Sequence, residues 1–390
     1  MTGRHNRTNQ RRRKQKLLLV SHRAIEQSGG PAARWRSFVR HLPALGWEVD
    51  VVSARGGDEF ASPSRAQARA RVMEAAGRVA EPAFRVAGLR PEALPLSYGW
   101  VVRGAAEVRR RVRVGDYDVV LATGPPFAAL VAGRLAHRDV PLVVELRDLW
   151  AGNPAFDRGG PVLRRLESWV VREAAAVVAV TPEAADDLRR RHPGARIEEI
   201  SNGFEPELQE RRRPTEPPAT TILHSGTLTK DRPLAPLLRA LKPPLRLVLH
   251  GYVAPEIEAE IAESAADVEF LPPSGWEDAV RRIAEADVAL ITQARGAGDE
   301  TAVAAKVYEY LALGKPVLCI SDGGATEALL CRLGADQLCA RLDDRRSIDA
   351  ALARIEAGDL PGPVATELLA PYERPQLAAR LRDLVEDIAK

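Results

Sequence analysis

The chain has 390 residues, 45% of them hydrophobic and 28% charged, enough for two hydrophobic cores without disulfide or metal staples. No run is long and apolar enough to span a bilayer. The net charge of +3 is concentrated: residues 1–16 hold seven Lys or Arg and no acid, and the rest, the whole charge less those seven, stands at −4.

Residues 1–16 read as a basic flexible tail. Such a tail can lie on an anionic membrane surface at about 1 kcal/mol per basic residue, touch nucleic acid, or be a solvated end. The body carries no matching basic stripe, so no nucleic-acid partner is expected. No apolar core follows the tail, as a secretory signal would need. Cys319, Cys331 and Cys339 lack metal-ligand spacing and suit a reducing compartment. The expectation is a soluble cytoplasmic protein, with peripheral contact at the inner face of the membrane left open.

Residues 17–20 form a short buried strand. A loop ending in Gly29-Gly30-Pro31 leads to a helix over 32–45 and a strand over 47–53, a βαβ unit. Backbone can approach a ligand closely at the two glycines. They are equally a plain turn, and the spaced glycines of the dinucleotide fingerprint are missing. Residues 63–114 alternate helical Arg/Ala stretches with a Pro-rich break, where Tyr98 and Trp100 read as packing or sugar-stacking aromatics. A strand over 117–122, a turn at Gly124-Pro125-Pro126, a helix to 137 and a strand over 142–146 follow. That strand ends in Arg147-Asp148. Ligands bind outside the carboxyl ends of parallel strands, so Asp148 is a candidate cleft carboxylate, with a structural Arg147–Asp148 pair as the alternative. A helix over 162–175, a strand over 177–180, a helix opened by Thr181-Pro182 and a strand over 197–200 lead to Asn202-Gly203. Residues 210–218 are polar and Pro-rich and read as a linker.

The pattern then restarts. A strand over 221–224 precedes a turn at Ser225-Gly226-Thr227 and a helix from near Pro233. A strand over 245–250 ends at Gly251, and strands over 268–271, 288–292 and 317–320 follow. Two strand–helix series predict an α/β protein of two doubly wound domains, 17–209 and 219–365, facing across a cleft. The segment 366–390 carries Leu377, Leu381 and Leu384 at helical spacing.

Residues 299–321 hold the strongest site signal. Thr301 is a predicted N-cap for a helix to Leu313, stopped by Gly314 and Pro316. Val303, Val307, Tyr310 and Leu311 share its core face. The other face carries Ala302, Ala305, Glu309 and Ala312, with Lys306 at its edge, so a ligand could lie close to one carboxylate. The N–H groups of the helix start suit a phosphate. A solvated Lys306–Glu309 pair at i,i+3, about 0.2–0.5 kcal/mol, is the competing reading.

The run from Lys306 through Glu309 and Gly314 to Pro316-Val317 resembles the donor-site signature of retaining glycosyltransferases of family four, which have the GT-B fold. The resemblance implies that Glu309 holds the nucleotide ribose and that N–H groups at Ala302, Val303 and their neighbours hold the donor pyrophosphate. Eight residues before Glu309, where many members place a sugar-facing Glu, this chain has Thr301 with Glu300 beside it. Gly29 and Gly30 resemble the family's glycine loop near the donor phosphates and acceptor. Asp148 stands where members often carry a cleft-facing Asp, and Asn202-Gly203 resembles the end of the first domain. Of the family's basic pair, the Arg place next to Gly226 is Thr227 and the Lys place is Arg232; Lys306 could replace the missing cation.

These readings predict a GT-B protein: two Rossmann-like domains, a basic N-terminal tail, and a C-terminal helix crossing back to the first domain. The expected activity moves a sugar from a nucleotide-sugar donor to an acceptor hydroxyl with retention, in cell-surface glycan, glycolipid or secondary-metabolite synthesis. No cofactor is expected, nor a metal, since no Asp-x-Asp motif is placed at a strand end. Candidate catalytic residues are Asp148, Glu300 and Arg232. Candidate donor-binding residues are Gly29, Gly30, Gly226, Thr227, Arg232, Gly251, Thr301, Ala302, Val303, Lys306 and Glu309. A nucleotide-sugar epimerase on the same fold and a non-catalytic GT-B subunit are the other readings.

Overall fold

The computed structural model describes residues 14–22, 30–53, 98–153, 160–213, 215, 218–229, 232–293 and 298–390. Residues 1–13 of the expected tail, Gly29, and the stretch 63–97 lie outside the described residues. The first strand begins earlier than expected. Its residue Lys16 donates its N–H to Asp118 Oδ2 at 2.7 Å and sits opposite Glu48.

Two six-stranded sheets, each wholly parallel, carry the fold. The first contains β1 (Gln15–Ser21), β2 (Trp47–Val52), β3 (Val119–Gly124), β4 (Leu142–Leu146), β5 (Ala176–Ala179) and β6 (Ile197–Glu199) in the order β2-β1-β3-β4-β5-β6. The second contains β7 (Thr221–Leu228), β8 (Arg246–Val253), β9 (Val268–Leu271), β10 (Val288–Thr292), β11 (Val317–Ser321) and β12 (Cys339–Arg341) in the order β12-β11-β10-β7-β8-β9. Runs such as Leu17-Leu18-Leu19-Val20 are fully buried, as central parallel strands covered on both faces require. The strand order reverses between β1 and β3 and between β7 and β10, the switch points where such sheets bind ligands. This is the expected GT-B architecture of two Rossmann-like domains. β12 was not foreseen, because Cys339-Ala340-Arg341 holds no β-branched or aromatic residue.

Helix α1 (Gly30–His41) covers the first sheet and starts two residues before its expected place. Helix α2 (Tyr98–Val114) begins at Tyr98, so the aromatics do not lie in a loop. Trp100 is 5% exposed and packs edge-on to His22, which is the packing role. Among the described residues no helix is long and apolar enough to cross a membrane.

The expected turn at Ser225-Gly226-Thr227 and the expected strand end at Gly251 both lie inside strands. β7 and β8 stay in register from Thr221↔Arg246 to Leu228↔Val253, with Gly226 opposite Gly251. A Cβ on Gly251 would stand 2.1 Å from the Gly226 carbonyl oxygen. Both glycines have positive φ, +150° and +131°. They mark a close backbone approach inside the sheet, which the sequence had suggested as strand ends.

The terminal helix α3 (Arg374–Ile388) returns to the first domain. Leu377, Leu381 and Leu384 are buried in one cluster with Leu17, Trp35 and Phe38; each such side chain contributes about 1.5–3 kcal/mol of burial. The crossing is fixed by backbone bonds: Phe204 N–H donates to Tyr372 O at 3.1 Å and Arg374 N–H to Phe204 O at 2.9 Å. A Cβ on Gly203 would lie 2.0 Å from Tyr372 O. The glycine of Asn202-Gly203 thus admits the returning chain. Part of the expected linker is also structured. Residues Pro206–Arg211 form a 3-10 helix, and Arg212 donates to Ala312 O and Val364 O, each at 3.1 Å.

Candidate functional site

The site begins with helix α4 (Lys306–Ala312), four residues shorter at its start than expected. Thr301 is not its N-cap. The N–H of Thr301 and its hydroxyl both turn to Gly298 O, at 3.0 and 3.4 Å, and its carbonyl accepts from Thr181 Oγ1 of the first domain at 2.6 Å. The Ala302 N–H donates to Gly298 O at 3.0 Å and that of Ala304 to Thr326 Oγ1 at 3.0 Å. These partners hold the segment out of a helix, and they occupy the N–H groups of Ala302 and Ala304 that the phosphate reading had wanted. Gly298 abuts Asn153, so the loop touches the first domain again.

The helix buries more than its expected core face. Val307, Tyr310 and Leu311 are buried, but so are Tyr308 and Ala312. The Tyr308 ring packs against Tyr372 at 5.3 Å. Lys306, Glu309 and Tyr310 line the cleft, and Glu309 is 9% exposed. Lys306 Nζ donates to Glu309 Oε2 at 2.8 Å. The competing ion pair thus exists, though it lies in a cleft wall and not in open solvent.

A cavity of about 550 Å³ opens between the domains. Gly226, Thr227, Arg232, Lys306 and Glu309 line it from the second domain; Ala33, Arg36, Asn202 and Gly203 line it from the first, with Arg374 of α3. Five of the predicted site residues are thereby brought together. Asp148, Glu300, Gly251, Thr301, Ala302 and Val303 are not among the lining residues. Gly251 is covered by Gly226, Glu300 is exposed in a turn, and Val303 lines a separate crevice with Tyr308, Arg332 and Tyr372. Gly30 opens α1.

The second sheet supports its side of the cavity through hydrogen bonds. Tyr310 Oη accepts the Ser225 N–H at 3.0 Å, pinning β7 to α4. His250 bridges Ser225 Oγ at 3.1 Å and Ser274 Oγ at 2.8 Å. His224, 4% exposed, places Nδ1 3.2 Å from Leu290 O of β10. Burial, then the charge of Arg232 and, more weakly, that of Lys306, push its pKa down to about 4 against the Leu290 bond.

On the first-domain side the organising group is Glu145, buried in β4. It accepts from Arg34 Nε at 2.9 Å, Trp35 Nε1 at 2.7 Å and Thr123 Oγ1 at 2.6 Å. Burial alone would raise its pKa; the charges of Arg34 and Arg147, with those hydrogen bonds, bring it below the usual value. Arg34 also donates to Ser201 O and Ile200 O, so α1 is tied to the end of β6 beside the cavity. Sequence reasoning missed this network. Its one visible signal was a lone carboxylate inside the apolar run of β4. The Arg147 guanidinium donates to Gly124 O and Pro125 O. Burial raises the pKa of Asp148, and the nearby Arg147 charge opposes that. Among the described residues no cluster of three or more His, Cys, Asp or Glu is placed to hold a metal ion.

Residues 28–208 match the family model of Glycosyltransferase Family 4. No curated protein matches the sequence significantly. Among solved structures the chain is similar to AviGT4, a glycosyltransferase involved in avilamycin A biosynthesis, at 17% identity and a TM-score of 0.57, covering 96% of this chain and 98% of that one. It is similar to the apo form of the lipopolysaccharide outer core galactosyltransferase WaaB at 10% identity and 0.58, covering 95% and 99%. It is also similar to a UDP-N-acetylglucosamine 2-epimerase at 14% identity and 0.56, covering 96% and 95%. At these identities the likeness is one of fold, and transferases and an epimerase share it. The chain has the GT-B fold and resembles family-four glycosyltransferases.

Proposed function

We propose that the protein is a retaining glycosyltransferase that moves a sugar from a nucleotide-sugar to an acceptor hydroxyl without a required metal. The observation that carries this is the interdomain cavity uniting Gly226, Thr227, Arg232, Lys306 and Glu309 opposite α1. In this reading Arg232 and Lys306 neutralise the leaving diphosphate, and the Thr227 hydroxyl stands in for the absent Arg. Glu309 exchanges Lys306 for the ribose hydroxyls, since a carboxylate only accepts. Positioning and stabilisation of the leaving group then supply much of the rate. The Gly29-Gly30 loop would admit the substrate. Asp148 would approach the reacting sugar from the carboxyl end of β4. Residues 210–218 and the crossing at 372–374 would be the hinge.

The acceptor side belongs to the first domain, where a glycan, a glycolipid or a secondary metabolite would dock. The basic tail would add peripheral contact with anionic lipid from the cytoplasmic side. Anomeric NMR of the first-formed product tests the chemistry: the donor's configuration should be kept, and EDTA should leave most activity. An inverted product or strict metal dependence would remove the reading. The epimerase-like neighbour makes isomerisation the second reading; it predicts an epimerised donor with no acceptor present.

A further inference from the structure

His224 lies at the switch point between β7 and β10 and lines the interdomain cavity. Its ring is held by Leu290, whose carbonyl can only accept, so Nδ1 carries the proton. Nε2 is then an acceptor. It is buried and has no hydrogen-bond partner, an uncommon state for a buried polar atom. Burial and the cations Arg232 and Lys306 disfavour the imidazolium, so protonation does not resolve the vacancy.

Residue 226 contributes no side chain over Nε2. Apart from its own chain neighbours, a Cβ built on Gly226 would meet only His224 Nε2, at 3.6 Å. Glycine at 226 thus keeps a side chain from closing over the ring on the cavity side.

We propose that His224 Nε2 accepts a hydrogen bond from a hydroxyl of the nucleotide-sugar donor, making His224 a specificity-determining residue of the site. The inference rests on the donor-site reading above. Phosphate oxygens cannot fill this place, because at neutral pH the bridged diphosphate offers an acceptor to an acceptor. Arg232 and Lys306 therefore serve the anionic part of the donor, and His224 reads a hydroxyl beside it. Two hydroxyl sources share this chemistry: the ribose and the transferred sugar.

Calorimetric titration with UDP, GDP, ADP and dTDP first identifies the diphosphate that the wild type binds. That diphosphate, its 2′- and 3′-deoxy forms and its glucose conjugate are then titrated into wild type, His224→Phe and His224→Asn. Phe keeps the ring volume, and Asn keeps a donor toward Leu290. Both variants should melt as folded proteins and bind the hydroxyl-bearing probe about tenfold more weakly. A penalty with the plain diphosphate that vanishes with a deoxy form assigns the ribose. A penalty seen only with the glucose conjugate assigns the sugar. Equal affinities of folded wild type and variants for every probe would overturn the inference and leave the donor site standing. Proton uptake on diphosphate binding that is lost in His224→Phe would also overturn it, since the ring would then be donating to phosphate. If the wild type binds none of the four diphosphates, the donor-site reading falls and takes the inference with it.

Discussion

Lys306 and Glu309 form a 2.8 Å ion pair one turn apart on α4, in the wall of the interdomain cavity. An exposed pair of this kind contributes about 0.2–0.5 kcal/mol. This one is held by a carboxylate that is mostly out of solvent, where a ligand that replaces Lys306 can use it.

Glu309→Gln separates the two roles. It keeps size and loses charge. Charge-assisted hydrogen bonds contribute about 1.5–3 kcal/mol, so affinity for the preferred nucleoside diphosphate should fall roughly tenfold or more. The melting temperature should change little, because the partner Lys306 is partly exposed and can turn to water. Calorimetry beside melting curves gives both quantities. Unchanged affinity in a folded variant would leave the ion pair as the residue's whole role.

Gly226 and Gly251 face each other across β7 and β8 and should fail in different ways. Gly251→Ala puts a Cβ into the Gly226 carbonyl at positive φ. Left-handed strain and overpacking together should cost about 2–5 kcal/mol. Gly226→Ala finds open space and pays only the strain, about 1–2 kcal/mol, but its methyl group would sit over His224 in the cavity. Urea denaturation should therefore single out Gly251→Ala, and diphosphate titration Gly226→Ala. A Gly251→Ala protein as stable as wild type would mean that the strands do not approach as described.

The alternation of apolar strands and helices was legible because buried parallel strands leave continuous apolar runs, as in Leu17 to Val20 and Val288 to Thr292. The Lys306–Glu309 motif was legible because it is local. What escaped depends on contacts remote in sequence. Thr301 has the residue type of a cap, but Gly298 and Thr181 claim its polar groups. Gly203 and Gly251 carry the residue type of turns, and each answers to a backbone that arrives from elsewhere in the chain. Glu145 shows nothing of Arg34, 111 residues away, that neutralises it.

The basic tail can be tested apart from catalysis. Deleting residues 1–13 leaves β1 intact, since the strand starts at Gln15. If the tail docks the protein on anionic lipid, deletion should abolish salt-sensitive binding to vesicles rich in phosphatidylserine, at about 1 kcal/mol per basic residue in contact. Turnover of a soluble acceptor should persist. Equal vesicle binding by the full and shortened chains would rule out the tail as the membrane contact.

His224 also shapes the acid limb of stability. Its folded pKa is about 4, against roughly 6.5 in an unfolded chain. Between those values the unfolded chain binds a proton that the folded protein refuses, so stability rises with pH across that window. The contribution is complete above about pH 6.5 and is lost as pH falls toward 4, a change of about 3 kcal/mol at most. Glu145 and His250, whose pKa values are also lowered, act in the same direction, so the wild type alone cannot isolate the effect. The difference between wild type and His224→Phe can, because those groups occur in both. Urea denaturation near pH 7.5 and near pH 4.5 should show the variant gaining on the wild type at the lower pH by about 2 kcal/mol. A difference that is the same at both pH values would mean that the ring is not buried in its neutral form, and the orphan acceptor at Nε2 would go with it.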